Sequence, residues 1–66
     1  MGYKIKEVRE SKNMTQDELA RYSGISRGTI VALESGKEKI TTTKTLVKIA
    51  DALNVTVDDI FFADNV

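Results

Sequence analysis

Apolar residues recur at helical spacing along most of the chain, and the polar residues between them fall where helices start and stop. Ile5 and Val8 stand three apart, which predicts a first amphipathic helix from Tyr3 to about Lys12, ending near Asn13. Thr15-Gln16-Asp17-Glu18 reads as a capping box: the Thr15 hydroxyl accepts from a free backbone N–H while Glu18 reaches back to the cap. Asp17 and Glu18 also suit the positive end of a helix dipole. A second helix then runs through Leu19 and Ala20 to about Ser23, and Gly24 supplies a left-handed stop. Ser26 caps a third helix that carries Ile30 and Leu33 inward and ends at Ser35-Gly36. The fourth starts after Thr42 and sets Leu46, Ile49, Ala50 and Leu53 on one stripe, with Asn54 tolerating the left-handed stop. Thr56 caps a short last helix, with Asp58 and Asp59 in its first turn and Ile60 and Phe61 expected to close the core. Five helices joined by loops of two to six residues leave no room for a sheet, so the expected fold is all-α, a compact five-helix bundle. The six-residue 37–42 connection is the longest and the candidate for greatest mobility.

Length narrows the picture further. Sixty-six residues are read as one domain, 1–66, too short for a second core or a lidded active site. The chain has no cysteine and no histidine, so disulfide staples and the usual transition-metal ligands are missing, and no metal or cofactor is expected. A reducing, cytoplasmic setting fits that composition. No apolar run approaches the roughly 20 residues needed to cross a bilayer, so no membrane association is expected. Net charge is zero, which argues against a general polyanion binder. The distribution is less even: residues 1–37 hold seven Lys/Arg against five Asp/Glu, residues 38–66 three against five. A front half at +2 and a back half at −2 give mild support for an anionic partner on the front side.

Between the second and third helices stand only Gly24, Ile25 and Ser26. A three-residue turn containing glycine, flanked by helices of about two turns, describes a helix-turn-helix. Ala20 keeps the crossing close, Gly24 permits the turn, Ile25 plugs the angle, and Ile30 and Leu33 anchor the third helix with its opposite face free. On spacing alone, DNA binding and plain bundle packing account for this arrangement equally well.

The segment TQDELARYSGISRGTIVALESGK resembles the lambda-repressor-like (Cro/XRE-type) helix-turn-helix family, and the likeness continues through TLVKIADALNVTVDDIF. It spans roughly residues 4 to 61, and the combination Thr-Gln-x-Glu-Leu-Ala, Gly-Ile-Ser, Ile-x-x-Leu-Glu-x-Gly-Lys is specific. The resemblance implies a five-helix bundle and a transcriptional regulator that binds double-stranded DNA as a homodimer; repression is the expected outcome, since a bound compact dimer blocks polymerase by occupancy. The resemblance also implies that Gln16 contacts a phosphate and braces the recognition helix. Arg27 and Gly28 take the positions that meet base edges, within a DNA-contacting set that includes Ser26, Thr29 and Val31, and Ala32 lies one turn deeper. Ser35, with the backbone of Gly36 and Lys37, resembles a phosphate clamp, and Arg9 and Glu34 match a structural ion pair.

The expected reading face, Gly28, Val31, Ala32 and Ser35, is small and apolar. Only Arg27 and Gln16 offer the bidentate hydrogen bonds that distinguish bases, and Arg27 on guanine O6 and N7 is worth about 1–3 kcal/mol. The plainer role for Arg27 is a phosphate contact at the helix start. Lys37, Lys39 and Lys44, with Lys12 and Arg21, are candidate phosphate neutralisers, Lys12 being more simply a solvated side chain. In the 37–42 loop, Ile40 and three threonines replace the family's usual proline and small polar residues. A monomer this small makes few contacts, so a two-fold dimer reading half-sites about one helical turn apart is expected. Ile40, Ile60, Phe62 and Val66 are the expected seam, against monomer packing or fraying.

An enzyme needs a nucleophile with a base, a metal site or a phosphate loop. Gly36-Lys37 is no such loop, because Val31 and Glu38 stand where glycine and Ser/Thr are required. The stronger rival is a protein-interaction module, or an antitoxin-type protein, using the same fold; zero net charge and the apolar face keep it open. Regulation by a small-molecule effector within this chain is not expected.

Overall fold

The computed structural model describes residues 3–37 and 41–61. Its regular elements are five helices: α1 (Ile5–Ser11), α2 (Gln16–Ser23), α3 (Arg27–Ser35), α4 (Thr43–Leu53) and α5 (Val57–Ile60). The expected all-α five-helix architecture is therefore the observed one, with the first helix shorter at both ends than its periodicity predicts. Lys4 precedes α1 without a side-chain cap, and its N–H instead donates to the Ile60 carbonyl at 2.9 Å, tying the chain start to α5.

Four threonine or serine hydroxyls start the other helices. Thr15 Oγ1 accepts from the Glu18 N–H at 3.0 Å while Glu18 Oε1 accepts from the Thr15 N–H at 2.9 Å, a reciprocal box. Thr56 and Asp59 repeat it on α5, with the Thr56 N–H donating to Asp59 Oδ2 at 3.0 Å. Ser26 and Thr42 accept from the N–H groups of Thr29 and Thr45. Each such cap satisfies a donor that the helix cannot, worth about 1 kcal/mol. The exits are equally local. Gly24 at φ 75° and Gly36 at φ 87° end α2 and α3 in the left-handed region, where a Cβ would be strained. Asn13 and Asn54 take the same conformation at φ 56° and 61°, tolerated because their short side chains can bond locally.

Packing converts these helices into one core. Ile5, Leu19, Ile30, Leu33, Leu46, Ile49, Ala50, Leu53 and Ile60 are buried, and Tyr3, Val8, Met14, Ala20, Ile25, Ala52, Val55 and Val57 pack partly against them. Every helix contributes, and burial of each large aliphatic side chain supplies about 1.5–3 kcal/mol. Helix α2 packs on both α3 and α4, α4 on α5, and α1 on α3 and α5. The α2–α3 unit is thus held from behind by α1 and α4.

Two expectations about the last helix need correction. Ile60 has no exposed surface, because it is the buried end of α5 beneath α1, so it cannot serve in a seam between two copies. Phe61 does the reverse: expected to close the core, it is 39% exposed and tilts against Tyr3, ring centroids 6.0 Å apart. The helix ends between them, and Phe61 lies in extended backbone that turns it off the helical face. Ile40, Phe62 and Val66, also expected in the seam, lie outside the described residues, as does Lys39. Among the described residues no helix is long and apolar enough to cross a membrane.

Candidate nucleic-acid interface

Helices α2 and α3 meet at a turn built largely from its own residues. The Gly24 N–H donates to the Ala20 carbonyl at 2.9 Å, closing α2. Buried Ser23 then accepts from the Ile25 N–H at 3.1 Å, which satisfies a backbone donor and pins the turn. Ile25 is half-buried against the core between the helices. Ser23 carried no expected role, since a serine at a helix end looks like any polar terminus until the turn folds over it.

Behind the turn lies a polar knot. Arg9 on α1 donates through Nε to Glu34 Oε2 at 2.8 Å and through Nη2 to Glu34 Oε1 at 3.2 Å, a two-point fork. Its remaining amino group donates to the Met14 carbonyl at 2.7 Å. Both side chains are nearly buried, 10% and 4% exposed, so neither charge is compensated by water. The hydrogen bond to Glu34 raises the Arg9 pKa above its ordinary value, outweighing the opposite effect of burial. Gln16, at the first position of α2, donates from Nε2 to Glu34 Oε1 at 2.9 Å. One carboxylate on α3 therefore gathers α1 and α2, and no buried side-chain polar atom among the described residues lacks a partner.

The outward side of α3 is a different surface. Ser26, its cap, also donates to the Thr29 hydroxyl at 2.9 Å, and this leaves Thr29 half-buried within the cap. Gly28, Val31 and Ser35 are exposed, and Ala32 is half-buried. A Cβ placed on Gly28 would meet no neighbouring atom within 4 Å, so internal packing does not require glycine there. Ser35 turns its hydroxyl back onto the Ala32 carbonyl at 3.2 Å. Lys37 is exposed just beyond the α3 C-terminus. Arg27 is exposed but not free: its Nε lies 3.2 Å from Asp17 Oδ1 across the α2–α3 corner. That pairing was not foreseen, because Asp17 has a sufficient local explanation as a first-turn acid on α2.

The Asp17–Arg27 ion pair links the first turns of α2 and α3, where Ser26, Arg27 and Gly28 follow one another, while Gln16 at the start of α2 is bonded to Glu34 in the last turn of α3. Val31, Ala32 and Ser35 continue along α3, and Lys37 stands at its end. Helix N-termini carry unpaired N–H groups and positive partial charge, which favours an anion.

Comparison with known proteins agrees with this construction. Residues 5–60 match the helix-turn-helix family. An HTH-type transcriptional regulator of Archaeoglobus fulgidus is 47% identical over 97% of this chain and 89% of its own length. One from Methanocaldococcus jannaschii is 40% identical, covering 98% and 97% of the two chains. The transcriptional repressor RghR of Bacillus subtilis is 31% identical over 92% of this chain, which spans 45% of that longer protein. Among solved structures, the restriction-modification controller protein C.AhdI of Aeromonas hydrophila superposes with a TM-score of 0.80 at 27% identity, covering 85% of this chain and 83% of that one. These relatives are named as regulators and not as enzymes. With the match running from α1 to the end of α5, the chain belongs to the helix-turn-helix family of transcriptional regulators.

Proposed function

We propose that this chain acts as a repressor that binds a two-fold-related operator as a homodimer, with α3 in the major groove. The observation that carries the reading is the division of α3. Its inner side is locked by Ile30, Leu33 and Glu34, while Arg27, Gly28, Val31 and Ser35 face outward. Gln16 and the N-terminus of α2, with Lys37 and Lys39, are assigned to flanking phosphates. Ser26 and Thr29 orient the first turn, and Val31 and Ala32 touch thymine methyl groups. With so few polar readers, half-site spacing and DNA shape supply much of the selectivity. Ile40, Phe62 and Val66 remain the proposed seam. Repression follows from occupancy by a compact dimer, and the repressor RghR supports it by likeness.

The test is selection of bound duplexes from a random-sequence pool, followed by titration across a salt series. We expect two half-sites about one helical turn apart, binding that weakens steeply with salt, and loss of it on Arg27→Ala with Gln16→Ala. Sedimentation of the free protein is expected to show a dimer at high micromolar concentration. If no duplex is retained at low salt, the DNA reading fails and a protein-binding use of the same fold takes its place.

A further inference from the structure

Asp17 stands in the wrong place for a protein that approaches a polyanion. It is 72% exposed in the first turn of α2, beside the helix N-terminus that the proposed function turns toward phosphate. A carboxylate there repels any duplex. Thr15 and Glu18 already cap the helix, so Asp17 is not needed for that purpose. Its contact is Arg27 Nε, at 3.2 Å. Arg27 in turn sits at the first position of α3, near the positive end of that helix, where a cation is unfavourable and the first turn holds no acidic residue to offset it. The Asp17 charge, favourable for α2 but repulsive toward a duplex, thus meets the Arg27 charge across ten residues of sequence.

The direction of that contact matters. A guanidinium is a planar fork with five N–H donors, and the Nε edge and the outer edge are separate faces of it. The contact is an ion pair and not an aligned hydrogen bond, but the Asp17 oxygen lies nearest Nε, on the side edge, and so leaves uncovered the outer edge where the two terminal amino groups stand together. Those are the donors that meet guanine O6 and N7 side by side. The rest of the α3 surface, Gly28, Val31, Ala32 and Ser35, contains no other group able to make such a contact. Both partners remain largely exposed, with Arg27 at 60%, and Asp17 is the charged partner of this long side chain among the described residues.

We infer that Asp17 is the positioning residue that sets base specificity: it aims Arg27 at guanine and discourages it from settling on phosphate. This rests on the proposed reading of α3 as the groove helix and names the residue that makes that reading selective. Lowered affinity for arbitrary DNA is the cost, and a larger ratio between the right and wrong site is the gain.

The experiment compares wild type, Asp17→Asn, Asp17→Glu and Arg27→Ala on three duplexes: a site selected by wild type, the same site with its Arg27-dependent guanine changed to adenine, and an unselected duplex. Wild type should prefer the guanine site by about tenfold. Asp17→Asn, which keeps an acceptor but loses the charge, should cut that preference severalfold and bind the unselected duplex more tightly. Its salt dependence should steepen by about one released counterion as Arg27 turns to phosphate. Asp17→Glu should restore much of the preference. The ¹⁵Nε resonance of Arg27 should shift in Asp17→Asn without DNA, reporting the contact itself, with the thermal transition essentially unmoved. If Asp17→Asn changes affinity for all three duplexes by one factor, Asp17 is only a charge in the field and the inference is overturned while DNA binding stands. If wild type retains none of the duplexes, the proposed function itself has failed.

Discussion

Two arginine–carboxylate pairs bracket the α2–α3 corner, and they use the same chemistry for opposite ends. Arg9–Glu34 is a two-point fork at 2.8 and 3.2 Å, nearly buried, reinforced by Met14 and Gln16. Arg27–Asp17 is a single 3.2 Å contact between side chains that are mostly in water. Desolvation makes the difference. A buried charge without its partner is stranded, so the inner pair holds one geometry. The exposed pair has water as a ready substitute, contributes about 0–1 kcal/mol, and can exchange partners. The inner pair fixes where α3 lies; the outer one biases the Arg27 side chain without holding the helix.

The strongest way to break this contrast is to remove Glu34. Glu34→Ala strands Arg9 and orphans Gln16, and we expect a loss of about 3 kcal/mol in urea unfolding. For a domain of this size that lowers the thermal midpoint by more than about 12 °C. Replacing the pair together, Arg9→Met with Glu34→Leu, should recover most of the loss, since matched apolar groups leave no unpaired charge. Gln16→Ala, which leaves the fork intact, should cost about 1 kcal/mol in the same measurement.

Gly28→Ala separates stability from reading. Alanine is the better helix former and the site is open, so stability should rise by roughly 0.5–1 kcal/mol. Affinity for a selected duplex should nevertheless fall, because the added methyl holds α3 out of the groove. Equal or tighter binding would show that α3 does not seat deeply there. On the outer pair, a double-mutant cycle with Asp17→Ala and Arg27→Ala should give a coupling below about 0.5 kcal/mol in stability. A coupling as large as that of the inner pair would erase the difference between the two pairs.

The smallest effect concerns pH. Hydrogen bonds from the Thr56 backbone and side chain hold the Asp59 carboxyl below its ordinary pKa. A carboxyl depressed in the folded state stabilises above its unfolded value, near about 3.9, and loses that contribution as pH falls through the folded value. Asp59→Asn keeps an acceptor for Thr56 but cannot titrate. Its thermal midpoint should therefore decline less than that of wild type between about pH 5 and pH 2.

How much was legible in the residues depended on the reach of each interaction. Caps were readable because Thr15 and Glu18, Ser26 and Thr29, Thr42 and Thr45, and Thr56 and Asp59 lie three residues apart, within one turn. The core stripe of α4 was readable because eleven residues are long enough to display a period. Helix α5, with four residues, is too short, and so the inward place of Ile60 and the outward place of Phe61 were not separable in advance. Arg9 and Glu34, 25 residues apart, entered only through resemblance to a family; nothing in their spacing joins them. Asp17 and Arg27 had no such guide, and each already had an adequate local role.

By itself, then, the sequence determined the number of helices, the capped starts of α2 to α5, the left-handed stops of α2, α3 and α4, and most of the apolar set that packs them, because propensity, capping and periodicity act within a few residues. Tertiary structure decided which charges are buried and which are wet, and with whom each is paired. Those outcomes depend on the crossing of α1, α2 and α3, and a crossing is fixed only when the whole core closes.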